Sequence, residues 1–184
     1  MDLVDLIQEK RFMGQEFLAW LWYKSEERGG NVELPGTGDI LVVFEKHMLL
    51  EYGEGADSEK LICRGLQTEL KEARAGLALG KKPEQARIRL ARGDYEFSVT
   101  LTAATMEFRS VRLPKTAGAD DGDDPDSLEG QILERIGLFE ELTNLVNDLF
   151  RVFVNIRASS RWSEELVKIR DWVNSGTGGV DYGH

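Results

Sequence analysis

Gln85-Ala86-Arg87-Ile88-Arg89-Leu90-Ala91-Arg92-Gly93-Asp94-Tyr95-Glu96-Phe97-Ser98-Val99-Thr100-Leu101-Thr102 is the stretch whose reading decides the fold. Ile88 and Leu90 alternate with Arg87 and Arg89. Tyr95, Phe97, Val99 and Leu101 then alternate with Glu96, Ser98, Thr100 and Thr102. A period of two is the mark of a strand with one buried face. Arg92-Gly93-Asp94 supplies the turn, so the two runs predict an antiparallel hairpin. A further run from Met106 to Leu113 stops at Pro114 and extends the hairpin into a meander.

Working outward, Asp39–Tyr52 reads as two strands about a turn near Lys46-His47, with Ile40, Val42 and Phe44 on one face. Leu61–Leu66 reads as a short strand, and Leu34-Pro35-Gly36-Thr37-Gly38 as a loop. Thr68–Ala75 is helix-forming, with Gly80 as its cap. At the N-terminus, residues 3 to about 28 predict a helix terminated by Gly29-Gly30, with Gly14 marking a close approach or a break. Residues 128–157 predict one long helix, whose stripe of Ile132, Ile136, Phe139, Leu142, Val146, Leu149, Phe153 and Ile156 is widened by Leu138, Leu145 and Val152. A last helix is expected over residues 160–174, followed by a loose glycine-rich tail at 175–184.

Strands in the middle with helices at both ends give an α+β fold. The expected architecture is a central antiparallel sheet of about five to six strands, an aromatic N-terminal helix, a long C-terminal helix and a short final one. Residues 1–115 form the expected core domain, 116–127 an acidic loop, and 128–174 a helical arm that packs on the core or on a partner.

With 184 residues, 41% hydrophobic and 30% charged, the chain is long enough for one good core. No apolar run reaches the roughly 20 residues needed to span a bilayer, so no membrane role is expected. Met1-Asp2-Leu3-Val4-Asp5 is acidic where a signal peptide is basic, and the expected location is the cytoplasm. Cys63 is the single cysteine, in an apolar-alternating run, and reads as a small buried hydrophobe. His47 and His184 are the two histidines. Zinc hydrolase and histidine-dependent nucleophile chemistry need more than this, so no catalytic residue, metal or cofactor is expected. Paired acids such as Glu26-Glu27 and Glu140-Glu141 could serve acid–base chemistry, but on helices they read as solvated faces.

Other motifs dissolve on inspection. Gly76-Leu77-Ala78-Leu79-Gly80-Lys81-Lys82 has too short a spacing for a phosphate loop, lacks the hydroxyl and follows a helix. Asp120-Asp121-Gly122-Asp123-Asp124-Pro125-Asp126 does not keep the offsets of a calcium loop and reads as a solvated linker. Arg92-Gly93-Asp94 matches an integrin tripeptide but reads as a hairpin turn.

Charge is unevenly spread. Residues 71–115 carry ten Lys and Arg against five Asp and Glu, a net of +5 within a chain of net −10. The total argues against a general nucleic-acid binder, whereas the segregation argues for a basic sheet face. Arg87 and Arg89 share one side of a strand, Arg109 and Arg112 come from a neighbouring strand, and Lys81 and Lys82 lie at the edge. Such a face could track phosphates with a strong dependence on salt, or it could be a solvated surface paired with Glu84, Glu96 and Glu107.

Phe12-Met13-Gly14-Gln15-Glu16-Phe17-Leu18-Ala19-Trp20-Leu21-Trp22-Tyr23-Lys24-Ser25-Glu26 is dense in aromatics. Trp22 joins the Leu18 and Leu21 stripe, while Trp20 and Tyr23 fall on its flanks. Core packing is one reading. An aromatic contact surface at Trp20 and Tyr23, for a base or a partner helix, is the other. The same block resembles the F-L-G-x-E-F-L-x-W-L-W signature of the RdgC-like, recombination-associated family. Gly80-Lys81-Lys82, Ala86-Arg87-Ile88-Arg89-Leu90 and Leu113-Pro114 follow in a similar order. That resemblance implies a non-catalytic, DNA-associated protein that binds duplex DNA without sequence preference and acts as a ring-shaped dimer in recombination. The chain departs from the family in being shorter and net acidic. The alternative is a protein-interaction or oligomerisation module, in which the long helix makes a homodimer and nucleic acid plays no part.

Overall fold

The computed structural model describes residues 10–36, 38–53, 59–64, 68–115 and 125–175. Helix α1 (Lys10–Glu26) passes through a 3-10 turn (Glu27–Gly30) into strand β1 (Asn31–Leu34). Strands β2 (Gly38–Tyr52) and β3 (Glu59–Arg64), helix α2 (Thr68–Ala78), and strands β4 (Lys82–Arg92), β5 (Tyr95–Thr102) and β6 (Phe108–Arg112) follow. Helices α3 (Pro125–Arg157) and α4 (Arg161–Ser175) complete the described chain. The fold is α+β. Its six described strands form one antiparallel sheet in the order β1-β2-β4-β5-β6, with β3 also paired to β2. The beginning of the expected first helix, the acidic loop up to residue 124 and the tail from 176 lie outside the described residues.

Two expectations about the strands change. Residues 38–52 form one continuous strand rather than two around a turn. The irregularity sensed at Lys46-His47 is a shift in the pairing of β2 with β4 between Phe44 and Met48, which lets the strand bend without breaking. β1 occupies residues 31–34, where no strand was expected; Val32 and Leu34 are buried, but two alternations are too few to signal a strand. The cap of α2 is as read. Gly80, at φ +87°, donates to Leu77 O (2.9 Å) while Lys81 N reaches Gly76 O (3.0 Å), the paired closure that glycine permits at a helix end.

Ile40, Val42, Phe44, Ala86, Ile88, Leu90, Phe97, Val99 and Leu101 are buried on one face of the sheet. α1 packs on that face and is itself covered by α3 and α4, so the molecule has three layers. Gly14 lies against the backbone of Ala103, which brings α1 close to the end of β5. Leu138, Leu142, Leu145, Val146, Leu149, Phe153 and Trp162 join the same hydrophobic cluster as α1 and the sheet. Phe153 touches Phe17, Trp20, Phe150 and Trp162, with ring centroids 5.6 to 6.0 Å apart.

Polar contacts fasten α4 to α1. Glu165, buried, accepts from Lys24 Nζ (2.5 Å) and Trp20 Nε1 (3.2 Å). Glu26 accepts from Trp22 Nε1 (3.0 Å) and Trp172 Nε1 (2.9 Å), and pairs with Arg74, whose guanidinium lies over the Trp172 ring. Beside them Tyr23 donates to Glu27 (3.0 Å), which also holds Lys24 (2.6 Å). Burial, then that hydrogen bond and the Glu27 charge, push the Tyr23 phenol up to about 12 from 10.0. Burial works to raise Glu27, but Lys24 and the Tyr23 hydroxyl outweigh it and leave the carboxyl lowered.

The signs of the two contributions are opposite. The contribution of Tyr23 to stability is complete below pH 10 and is lost as the pH rises through about 12. That of Glu27 is complete above its ordinary 4.5 and is lost as the pH falls through its lowered value. Thermal melts of Tyr23→Phe are expected to fall less between pH 10 and 12 than those of the parent. An identical fall in both would remove Tyr23 as the cause.

Candidate functional site

The helices meet one face of the sheet only; among the described residues, no helix packs on the other. Strand register sets what the bare face displays. Arg87 on β4 is opposite Thr100 on β5, and Thr100 is opposite Arg109 on β6. One step along, Arg89 is opposite Ser98, and Ser98 is opposite Arg112. Two transverse rows therefore result, each an arginine, a hydroxyl residue and an arginine. At ordinary strand spacing the arginines of a row stand about 10 Å apart.

A regular strand would turn Arg109 and Arg112, three residues apart, to opposite faces. The pairing of β5 with β6 shifts between Ser98 and Thr100, so that β6 spends three residues where β5 spends two. Ser110 sits in the excess at φ +50°, in the left-handed region. This bulge returns both arginines to the same side. It is the local device that assembles the site.

Each arginine has its own surroundings. Arg87 is held: its Nε donates to Glu45 (2.7 Å), its Nη1 reaches Ser110 O (3.4 Å), and its buried Nη2 has no partner. Glu45, partly covered, also accepts from Ser98 Oγ (3.0 Å), so it ties β2, β4 and β5 together. Arg89 pairs with Glu96 (3.3 Å) and Arg109 with Glu107 (2.9 Å), all four side chains being well exposed. Arg112 is exposed and forms no ion pair among the described residues. Guanidinium groups so placed offer planar forks of donors that match carboxylate or phosphate oxygens.

The two lysines stand apart from this group. Lys82 is on β4 but five residues before Arg87, about 17 Å away at strand rise. Lys81 precedes the strand and pairs with Glu59 (2.8 Å), which holds that carboxyl below its ordinary value. Of the acids expected to neutralise the face, Glu96 and Glu107 do so. Glu84 instead accepts from Gln15 Nε2 on the helical side (3.1 Å). Glu45 was not foreseen. It sits among the alternating residues of β2, and only the direct pairing of β2 with β4 brings it to Arg87.

The proposed aromatic contact surface is corrected. Trp20 and Tyr23 are 1% and 8% exposed, because α1 is enclosed by the sheet on one side and by α3 and α4 on the other. The paired acids also have structural work: Glu26 and Glu27 lie in the α1–α4 contact, and Glu141 accepts from Arg92 (2.6 Å). An open groove of about 510 Å³ runs along α3 beside Arg92, lined by Glu140, Glu141, Asn144, Asp148 and Arg151. Among the described residues no cluster of His, Cys, Asp and Glu is arranged to hold a metal, and no helix is long and apolar enough to cross a membrane.

Comparison with protein-family models, with curated proteins and with solved structures finds no match to this chain.

A second surface has a different character. α3 is anchored from Leu138 onward, whereas its first turns carry Leu128 (60% exposed), Ile132 (51%), Leu133 (62%), Ile136 (51%) and Phe139 (43%). These five side chains leave an apolar stretch open along one helix, the kind of exposed patch that marks an interaction surface.

Proposed function

We propose that the chain is a non-catalytic, cytoplasmic, DNA-associated protein that meets the phosphate backbone, without sequence preference, through Arg89, Arg109 and Arg112. The observation that carries this reading is the β6 bulge, which gathers the arginines of two strands on the one sheet face the helices leave bare. Arg87 is the positioning member of the group, since Glu45 and Ser110 fix it. The resemblance of the Phe12–Glu26 block to RdgC-like proteins extends the reading to recombination.

Arg89→Glu with Arg112→Glu is the test. Both residues are on the surface, whereas Arg87→Glu would set a carboxylate against Glu45 and disturb the sheet. Fluorescence anisotropy with labelled duplex DNA at low salt is expected to show at least a tenfold loss, with the circular dichroism spectrum unchanged. Reversing two contacts should also flatten the dependence on salt. Affinity equal to the parent's would remove the arginine face from the reading.

The open stripe of α3 favours a second property, self-association. Exposed apolar stretches of this kind mark protein–protein contacts, and five large apolar side chains of one helix are open here. Val146, on the expected contact stripe, is buried in the chain's own core, so a dimer contact falls on residues 128–139. Leu133→Glu with Ile136→Glu is expected to convert a dimer to a folded monomer in sedimentation velocity. A parent that is already monomeric at tens of micromolar would end this second reading.

A further inference from the structure

We infer that the bare sheet face selects a continuous phosphodiester chain over single phosphates, because Glu96 and Glu107 already occupy two of its arginines. This rests on the reading above and specifies the ligand of the same site. Arg87 has Glu45, Arg89 has Glu96 and Arg109 has Glu107, which leaves Arg112 as the member of the four without an acidic partner among the described residues.

The three pairs are not equivalent. Glu45 is partly covered and also holds Ser98, so its release from Arg87 would break a second hydrogen bond. Glu96 and Glu107 lie on the surface, and among the described residues their carboxylates hold only Arg89 and Arg109. Exposed ion pairs of this kind contribute little, so another oxyanion can replace the carboxylate at small cost. A tethered carboxylate nevertheless competes at an effective concentration of about millimolar or more.

One phosphate that displaces one such carboxylate gains almost nothing. A backbone that presents several phosphates displaces Glu96 and Glu107 together and engages Arg112 as well. Its second and third contacts are then intramolecular, and only such a ligand outcompetes the internal acids. The masking also keeps the positive field of the resting face low.

Glu96→Gln with Glu107→Gln tests the idea, with Glu129→Gln plus Glu164→Gln as a control that removes the same charge from α3 and α4. Duplex DNA is titrated against all three proteins by anisotropy at several salt concentrations, and inorganic phosphate is then added as competitor. The face variant is expected to bind about tenfold more tightly than the parent, with a steeper salt dependence. The control should stay within twofold, and millimolar phosphate should displace little DNA from the parent.

Equal gains in the variant and the control would overturn the inference, since net charge alone would then be acting. A parent that binds DNA, with a variant that binds no better, would overturn the masking and leave the DNA reading standing. Failure of parent and variant alike at low salt would overturn both. A silent parent with a variant that binds would support the masking in its strongest form.

Discussion

Gly14→Ala is expected to destabilise the chain by about 3 kcal/mol or more, and the parent's cooperative melt should fall or vanish. Alanine is ordinarily the better helix former by about 1 kcal/mol. Here the added Cβ would lie 2.0 Å from Ala103 O and 2.7 Å from its carbonyl carbon. Both are backbone atoms at the end of β5, so no side chain can swing aside. α1 would have to lift from the sheet, and with it the buried Phe17, Leu18 and Leu21. Gly137→Ala on α3 is the matched control, because nothing stands within 4 Å of its Cβ position. That variant should melt at or slightly above the parent. A Gly14→Ala protein as stable as the parent would show that α1 does not approach β5 as described.

Phe153→Ala is expected to cost about 3–5 kcal/mol. Its ring is fully buried and meets aromatic partners from α1, α3 and α4, so its removal opens a cavity where the three helices converge. Few of those neighbours can collapse into the space: Trp20 is tied to Glu165, and Phe17 is held between Trp20 and Phe150. At roughly 2–4 °C per kcal/mol for a chain of this length, the melting temperature should drop by about 10 °C. Phe139→Ala, on the exposed part of the same helix, should change it far less. Equal effects at the two positions would place the core elsewhere.

The elements that could be read from sequence are those whose signal is local. The alternation of β4 and β5, the Gly93-Asp94 turn, the Gly80 cap and the 33-residue α3 follow from nearest neighbours along the chain. What escaped depends on partners distant in sequence. In β2 a bulge and a turn would interrupt alternation alike, and only pairing with β4 distinguishes them. The shared face of Arg109 and Arg112 is the work of one extra residue whose place is set by β5. Glu45 meets Arg87 across 42 positions of sequence.

The aromatic block of α1 is instructive in the same way. Gly14, Phe17, Leu18, Trp20, Leu21 and Trp22 are all spent on packing α1 between the sheet and the outer helices. None of them lies on the arginine face. These residues therefore speak to how the chain folds, and the arginines have to be judged on their own.

The α1–α4 contact has a practical consequence for anyone studying this protein in solution. Three of the four tryptophans belong to it, Trp20 and Trp22 from α1 and Trp172 from α4, while Trp162 of α4 packs on Phe153 and Arg157 of α3. Intrinsic fluorescence is thus a gauge of whether the outer helix stays docked. The opposite side of the sheet carries no such chromophore, and a ligand seated there would leave the emission spectrum almost unmoved.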